Sequence, residues 1–188
     1  MKFRLVFEGE IPPRQQTSAD IVHGIRLSLA PQLRALWTFL PLAEESREWL
    51  KHPDENEKSY AIFEQRGNTI FAPIVSKRND LQCELEVLFL RRQSPGQLIG
   101  DGGDIDNRLK TLLDALSVPP PAQSGRFSVM GPSDLVFCLL QDDALVTRLS
   151  VETDRLLRPT ASQYDLVAII QVYIRASRVT FGTIGLMG

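Results

Sequence analysis

The chain has 188 residues, of which 43% are hydrophobic and 23% are charged, and its formal net charge is −2. Such a composition is typical of a single soluble domain with a sizeable core, and it excludes collagen-like, low-complexity and strongly charged disordered chains. No apolar run approaches the roughly 20 residues of a membrane-spanning helix, so no membrane association is expected. The alternating N-terminal sequence does not have the pattern of a secretory signal.

The first 40 residues predict a strand followed by two helices. Residues 1–8 alternate apolar and polar side chains, which is the pattern of a half-buried strand. Ser18 is a candidate N-cap, because its side chain can accept a hydrogen bond from the first turn of a helix. We expect that helix to end at Pro31 and a second one to begin there, since proline disrupts a helix interior but is well tolerated at a helix start.

Residues 41–78 predict a polar helix or an exposed loop, followed by a hairpin. Acidic side chains are frequent in residues 43–58, and the dipeptide Gly67-Asn68 is a turn signal before the apolar residues 69–75. Residues 81–90 then alternate strictly between apolar and polar side chains, which predicts a strand with one buried face.

The second half of the chain predicts an amphipathic helix, a long loop and further strands. Residues 105–116 place apolar side chains on one face at helical spacing, and the Pro/Ser/Gly-rich residues 117–134 predict an exposed insertion loop. Residues 135–140 predict a short buried strand, and residues 167–174, which are apolar on both sides, predict a central strand. The fold class we predict is a single α+β domain over residues 1–188, with a mixed β-sheet and helices packed on it.

The sequence lacks the residue patterns that several kinds of functional site require. Cys83 and Cys138 have no CxxC or Cys/His spacing, which argues against a disulfide framework or a zinc site and favours a reducing cytosol. His23 and His52 have no partner at triad or metal-ligand spacing. No Walker A or GxGxxG run is present, so no nucleotide cofactor is expected.

Four carboxylates fall at the ends of predicted elements. Asp104 and Asp106 open the predicted helix, Lys110 follows four residues after Asp106 on the same face, and Asp142 and Asp143 follow a strand. Two helical residues two apart diverge by about 200° around the axis, so Asp104 can converge with Asp106 only from outside the helix. Such a group suits a hard, oxygen-preferring cation such as Mg²⁺ or Mn²⁺. Each piece taken separately is also common as a helix cap, a surface ion pair or a turn.

The run GDIDNRLKTLLDAL, followed later by QDDALV, resembles the RusA-type Holliday junction resolvases. These enzymes carry an Asp-x-Asp-Asn-x-x-Lys run on a helix and an Asp-Asp pair further on. The resemblance implies a RusA-like fold and a Mg²⁺-dependent (or Mn²⁺-dependent) endodeoxyribonuclease of DNA recombination and repair, which acts on branched DNA as a homodimer and nicks four-way junctions in pairs. It implies metal binding by Asp104, Asp106 and Asp143 with Asp142 as their neighbour, and it makes Lys110 the catalytic lysine.

The resemblance has further consequences for the rest of the chain. It implies a bacterial or phage-encoded protein of the cytoplasm, in which residues 41–78 and 117–134 exceed the family core. Phosphate contacts are expected from basic side chains near the motif, for which the candidates are Lys77, Arg78, Arg91, Arg92 and Arg108.

Two other functions stay open at this point. One is a RusA-like module without activity that holds DNA or a protein partner, and the other is a metal-dependent nuclease on other branched or single-stranded nucleic acid. The choice of substrate separates these functions from junction resolution.

Overall fold

The computed structural model describes residues 1–43, 62–92, 105–128 and 135–178. These residues form two mixed sheets and two α-helices in one α+β domain, which confirms the predicted fold class. In chain order the elements are β1 (Lys2–Glu10), α1 (Ala19–Leu36), β2 (Glu64–Arg66), β3 (Thr69–Val75), β4 (Leu81–Arg91), α2 (Ile105–Leu116), β5 (Leu135–Leu140), β6 (Val146–Arg155) and β7 (Asp165–Ala176). Short 3-10 helices cover Arg14–Gln16, Pro121–Ser128 and Asp143–Leu145.

β7 is an inner strand of the four-stranded sheet, whose order is β1-β7-β4-β6. It runs antiparallel to β1 and β4, with Ile170 opposite Leu5 and Val172 opposite Leu85, and all four of these side chains are buried. The prediction of a central strand at residues 167–174 is therefore confirmed. β6 pairs parallel to β4 and carries mostly exposed side chains.

β4 shows the alternation that its sequence predicts. Its odd-numbered side chains from Leu81 to Arg91 are buried, and its even-numbered ones are partly exposed on the other face of the sheet. On that face Glu84 pairs with Arg175 of β7 and lies 3.7 Å from Arg148 of β6. Opposite charges on neighbouring strands thus line the open face of the sheet, as cross-strand pairing favours.

The second sheet has the order β2-β3-β5. β2 and β3 form the predicted hairpin, and its turn contains Gly67 at a φ of +58°, a conformation that glycine adopts without steric cost. β3 and β5 are parallel, so Val75 and Leu140 end at the same edge of the sheet. The Asp pair, Asp142 and Asp143, follows β5 at this edge.

α1 begins at the predicted cap, where the Ser18 side chain accepts a hydrogen bond from the Ile21 amide at 3.3 Å. The predicted break at Pro31 is wrong, because one helix continues to Leu36 with Pro31 inside it. Leu29 and Leu33, on either side of the proline, are each 1% exposed. Burial of these side chains outweighs the one main-chain hydrogen bond that proline removes.

α2 confirms the predicted amphipathic helix at residues 105–116. Its buried face includes Leu112, Ala115 and Leu116, which pack in the main core together with side chains of α1 and the large sheet. Trp37, at the end of α1, is also buried and lies against Phe137 with ring centroids 6.0 Å apart. The core thus holds α2 against the sheets and turns its polar face outward.

The predicted exposed loop at residues 117–134 is wrong over its first three residues, which are buried. Val118 packs against Phe71, Val136 and Cys138, and its amide donates to the Leu140 carbonyl at 3.0 Å. The packing and the hydrogen bond together hold the segment after α2 against the end of β5. Residues 129–134 lie outside the described residues, and so does most of the acidic stretch 43–58.

Among the described helices, none combines the length and the apolar character that a bilayer crossing requires.

Candidate functional site

Asp106 and Lys110 form an exposed pair on the outer face of α2. The Asp106 Oδ2 and the Lys110 Nζ lie 3.7 Å apart, with 63% and 54% of their side chains exposed. This confirms that they share one face of the helix. An ion pair this exposed contributes little to stability, so both groups can turn to a ligand at little cost.

The Asp pair lies in the turn after β5. Asp142 caps the 3-10 helix that follows, because its Oδ1 accepts a hydrogen bond from the Ala144 amide at 2.9 Å. Asp143 is exposed, and its carboxylate accepts no hydrogen bond from a described residue. Asp142 therefore shapes the turn, whereas the Asp143 side chain is exposed at it.

A pocket of about 390 Å³ brings these aspartates together with other polar side chains. Its charged lining consists of Glu64, Arg66, Lys77, Asp114, Asp142 and Asp143. Ser117 and the run of prolines 119–121 form another part of its wall. The pocket lies where the C-terminal end of α2 meets the edge at which β3 and β5 end.

Gln141 joins the parts of this pocket. Its amide nitrogen Nε2 donates to the Glu64 Oε1 at 2.9 Å, and its Oε1 accepts from the Lys77 main-chain amide at 3.0 Å. Glu64 also pairs with Arg66, whose Nε donates to the Pro119 carbonyl at 2.8 Å. Glu64 and Arg66 are thus held in place by neighbouring groups, and the sequence analysis did not identify either of them.

Asp114 of α2 lines the same pocket as Asp142 and Asp143. Burial raises the pKa of its carboxyl, Arg14 opposes this rise, and the negative charge of Asp143 adds to it. The Arg14 Nη1 lies 3.4 Å from the Asp114 Oδ2, with both side chains substantially exposed. On α2 the ion pairs are thus Asp114 with Arg14 and Asp106 with Lys110.

The predicted metal ligands are not gathered at one point among the described residues. Asp106 precedes Asp114 by eight residues on α2, which separates their Cα atoms by about 12 Å along the axis. Asp142 and Asp143 line the pocket at the Asp114 end. Among the residues that the structure describes, no three acidic, histidine or cysteine side chains are close enough to share a metal ion. Asp104 lies outside the described residues.

Two of the five candidate phosphate contacts are buried, which corrects their assignment. Arg108 is 2% exposed, and its Nη1 donates to the carbonyls of Ile11 at 2.9 Å and Tyr164 at 3.3 Å. Arg91 is 3% exposed. Their guanidinium groups lie inside the fold and are inaccessible to a DNA backbone.

The other three candidates, Lys77, Arg78 and Arg92, are exposed. Lys77 also lines the pocket, so of the three it is the one that shares this pocket with the acidic residues. Phosphate contacts are therefore predicted for these three exposed side chains only.

A buried arginine behind the pocket was not predicted. Arg26 of α1 is 3% exposed, and it donates from Nε to the Ser117 carbonyl at 3.0 Å and from Nη2 to the Asp114 carbonyl at 2.7 Å. These are carbonyls at the C-terminal end of α2, where main-chain acceptors have no partner within the helix. One signal was present in the sequence, because Arg26 falls between Val22 and Leu29 on the apolar face of α1.

The two cysteines do not supply a nucleophile. Burial raises the pKa of Cys83 and of Cys138 to about 12 in each case. Neither thiol is ionised near neutral pH, and the thiolate is the reactive form.

Searches against protein-family models, curated proteins and solved structures found no match to this chain.

Proposed function

We propose that this protein is a Mg²⁺- or Mn²⁺-dependent endodeoxyribonuclease that cuts four-way DNA junctions, and that it acts as a homodimer in the cytoplasm. The proposal rests on the RusA-like motif and on the state of the motif's side chains. The observation that carries it is the Asp106–Lys110 pair, because a carboxylate and an ammonium group 3.7 Å apart on an exposed helix face are both available to a DNA strand.

The chemistry of the donor set fits such a cation. The exposed aspartates of the motif, Asp106 and Asp143, offer only carboxylate oxygens, which are the ligands that Mg²⁺ and Mn²⁺ prefer. As the resemblance assigns, Asp104, Asp106 and Asp143 would hold the ion. Because Asp106 lies about 12 Å along α2 from Asp114, beside which Asp143 lines the pocket, binding of one ion requires these side chains to come together. A bound divalent cation lowers the pKa of a coordinated water and neutralises charge on the leaving oxygen of a phosphodiester.

The chain's own basic residues have separate tasks in this proposal. Lys110 brings a positive charge to the scissile phosphate, where negative charge increases in the transition state. Lys77, on the wall of the acidic pocket, holds a neighbouring phosphate of the same strand. Asp142 keeps the turn that presents Asp143 through its hydrogen bond to Ala144.

The proposal is tested with labelled four-way junction, linear duplex and single strand, each incubated with Mg²⁺ or with EDTA. We expect the wild type to make paired nicks in the junction with Mg²⁺ and none with EDTA. We expect Asp143→Asn to make no nicks under either condition. The matched control is Asp154→Asn, which makes the same change at an exposed position on β6, eight residues and about 26 Å along the strand from Val146.

Each of the other results contradicts part of the proposal. Metal-dependent cleavage of the linear or single-stranded substrates in preference to the junction removes the junction as substrate. Binding of the junction without cleavage under any metal condition replaces the enzyme with a DNA-binding module.

A further inference from the structure

The two edge strands of the four-stranded sheet differ in what covers their outer sides. On β1, the Val6 amide donates to the Gln32 Oε1 at 3.0 Å, and the Gln32 Nε2 donates to the Val6 carbonyl at 2.7 Å. A side chain of α1 thus occupies the middle of that edge. β6 pairs with β4 on one side, and no described strand pairs with its other side. Since an unpaired edge is a template for a further strand, β6 is the edge of this sheet that can accept one.

The residues at equal distances on either side of Ser150, within β6, match one another in chemistry. They form an apolar pair, an oppositely charged pair and a pair of threonines, namely Leu149 with Val151, Arg148 with Glu152, and Thr147 with Thr153. If this segment pairs antiparallel with a copy of itself and Ser150 lies opposite Ser150, the members of each pair lie opposite each other. Cross-strand pairs of these kinds stabilise antiparallel sheets, whereas like charges opposite each other destabilise them.

The two faces of β6 fit this pairing. A cavity of about 520 Å³ on the open face of the sheet is lined by three alternate residues of the strand, Arg148, Ser150 and Glu152. Leu149 lies between them and is paired with the buried Leu85 of β4, so its side chain is on the other face. Leu149 is 39% exposed at the sheet edge. An apolar side chain on a paired strand would remove this surface from water.

The charged side chains of β6 are accessible to a second copy. Glu152 is exposed and forms no ion pair with another described residue. Arg148 is 63% exposed, and its guanidinium lies 3.7 Å from the Glu84 Oε2 and 3.8 Å from the Glu86 Oε1. Ion pairs this exposed are weak, so Arg148 can also contact a carboxylate on another chain. Two-fold symmetry would supply two contacts between Arg148 and Glu152 of opposite copies.

We propose that β6 pairs antiparallel with β6 of a second copy of this chain, about a two-fold axis at Ser150, and joins the two four-stranded sheets into one of eight strands. Residues 147–153 of the two copies then exchange about six main-chain hydrogen bonds. The contact uses the same surface on both copies, so it closes at a dimer and does not propagate. The inference rests on the proposed function only for the expectation of a homodimer, and it deepens that function by naming the surface through which the copies meet.

The charged pair provides a test that includes a rescue. Sedimentation velocity of the full chain over a range of concentrations measures the dissociation constant of the dimer. Glu152→Arg places like charges opposite each other, so we expect it to weaken the dimer at least about tenfold. The combination of Arg148→Glu with Glu152→Arg restores opposite charges and is expected to recover most of the affinity. Glu10→Arg, the same change at an exposed position on β1, is expected to leave the affinity unchanged.

Ser150 provides a test of the register, because the proposed axis places it opposite itself. Opposite residues of antiparallel strands have Cα atoms about 4.5–5.5 Å apart, which is within the range of a disulfide. Ser150→Cys is therefore expected to form a covalent dimer under mild oxidation, which dithiothreitol reverses. Ser28→Cys, the same change at an exposed position on α1, is expected to give no covalent dimer. Thermal unfolding checks that each variant is folded.

Two results overturn the inference. One is a wild type that stays monomeric at high micromolar concentration. The other is a dimer whose affinity is unchanged by Glu152→Arg and which Ser150→Cys does not cross-link, because the contact then lies elsewhere. The proposed function fails separately: a wild type that dimerises through β6 and cleaves no DNA keeps the interface and removes the nuclease. Paired nicks made in the junction by a monomeric wild type keep the nuclease and remove the inference.

Discussion

The Arg26 Nη2 donates a hydrogen bond to the main-chain oxygen of Asp114 at 2.7 Å, across the contact between α1 and α2. The same guanidinium donates to the Ser117 carbonyl, so one buried side chain binds the main chain of two residues that line the acidic pocket. The position of Asp114 therefore depends on Arg26, a buried residue that does not line the pocket.

Substitution of Arg26 is expected to destabilise the fold. Arg26→Met leaves the carbonyls of Asp114 and Ser117 buried without their charged donor, which lowers the free energy of unfolding on the order of 3 kcal/mol. Urea denaturation measures the loss. The control is Arg34→Met, the same change at an exposed position on α1, for which we expect a change below about 0.5 kcal/mol. Equal stability of the two variants would show that the Arg26 contacts are not stabilising.

His23 is expected to make stability depend on pH in the acidic range. Burial, the neighbouring charge of Arg26, and a smaller opposing effect of Asp20 lower the pKa of His23 to about 4, from an ordinary value of 6.5. Between these values the unfolded chain binds a proton that the folded chain excludes, so stability falls as pH decreases from 6.5 towards 4. The slope from this group is at most about 1.4 kcal/mol per pH unit.

The measurement compares wild type with His23→Gln by urea denaturation at several pH values. We expect the stability of wild type relative to the variant to decrease towards pH 4. Parallel pH profiles would mean that His23 is protonated equally readily in the folded and unfolded chains.

Asp142 is expected to act through the turn that it caps. Asp142→Ala removes the acceptor for the Ala144 amide, which lowers stability by about 1 kcal/mol and displaces Asp143. Asp142→Asn keeps an acceptor at the same place, so stability and cleavage both stay near wild type. If Asp142→Asn abolishes cleavage with stability unchanged, its charge binds metal directly.

Lys77 is expected to contribute to DNA binding through a phosphate. Lys77→Ala should weaken junction binding and reduce the slope of log affinity against log salt by about one contact. Fluorescence anisotropy over a salt series measures both quantities. Arg34→Ala, which removes an exposed charge on α1, serves as control. An unchanged salt slope in Lys77→Ala would remove Lys77 from the interface.

Local patterns predicted most of the elements, because burial on one face leaves a periodic record in the sequence. The alternation in β4 and the amphipathic spacing in α2 both matched the structure. Pro31 did not, since the long-range burial of Leu29 and Leu33 outweighs a local preference that involves one hydrogen bond.

Only those parts of the candidate site that depend on residues close together in the sequence were predicted. The Asp106–Lys110 pair follows from helical spacing and was confirmed. The position of Asp114 near Asp143 depends on the packing of α2 against β5, which no local pattern records. Arg108 looked like a surface cation because charge alone does not show which face of a helix is buried, and its contact with the Ile11 carbonyl joins residues far apart in the chain.

The most direct test of the account is junction cleavage by Asp106→Asn. Asp106 is exposed and its pair with Lys110 is weak, so the variant should fold with wild-type stability and bind the junction. With Mg²⁺ we expect paired nicks from the wild type and from the control Asp154→Asn, and none from Asp106→Asn. Undiminished cleavage by Asp106→Asn would contradict the central claim that the exposed carboxylate of α2 belongs to the catalytic metal site.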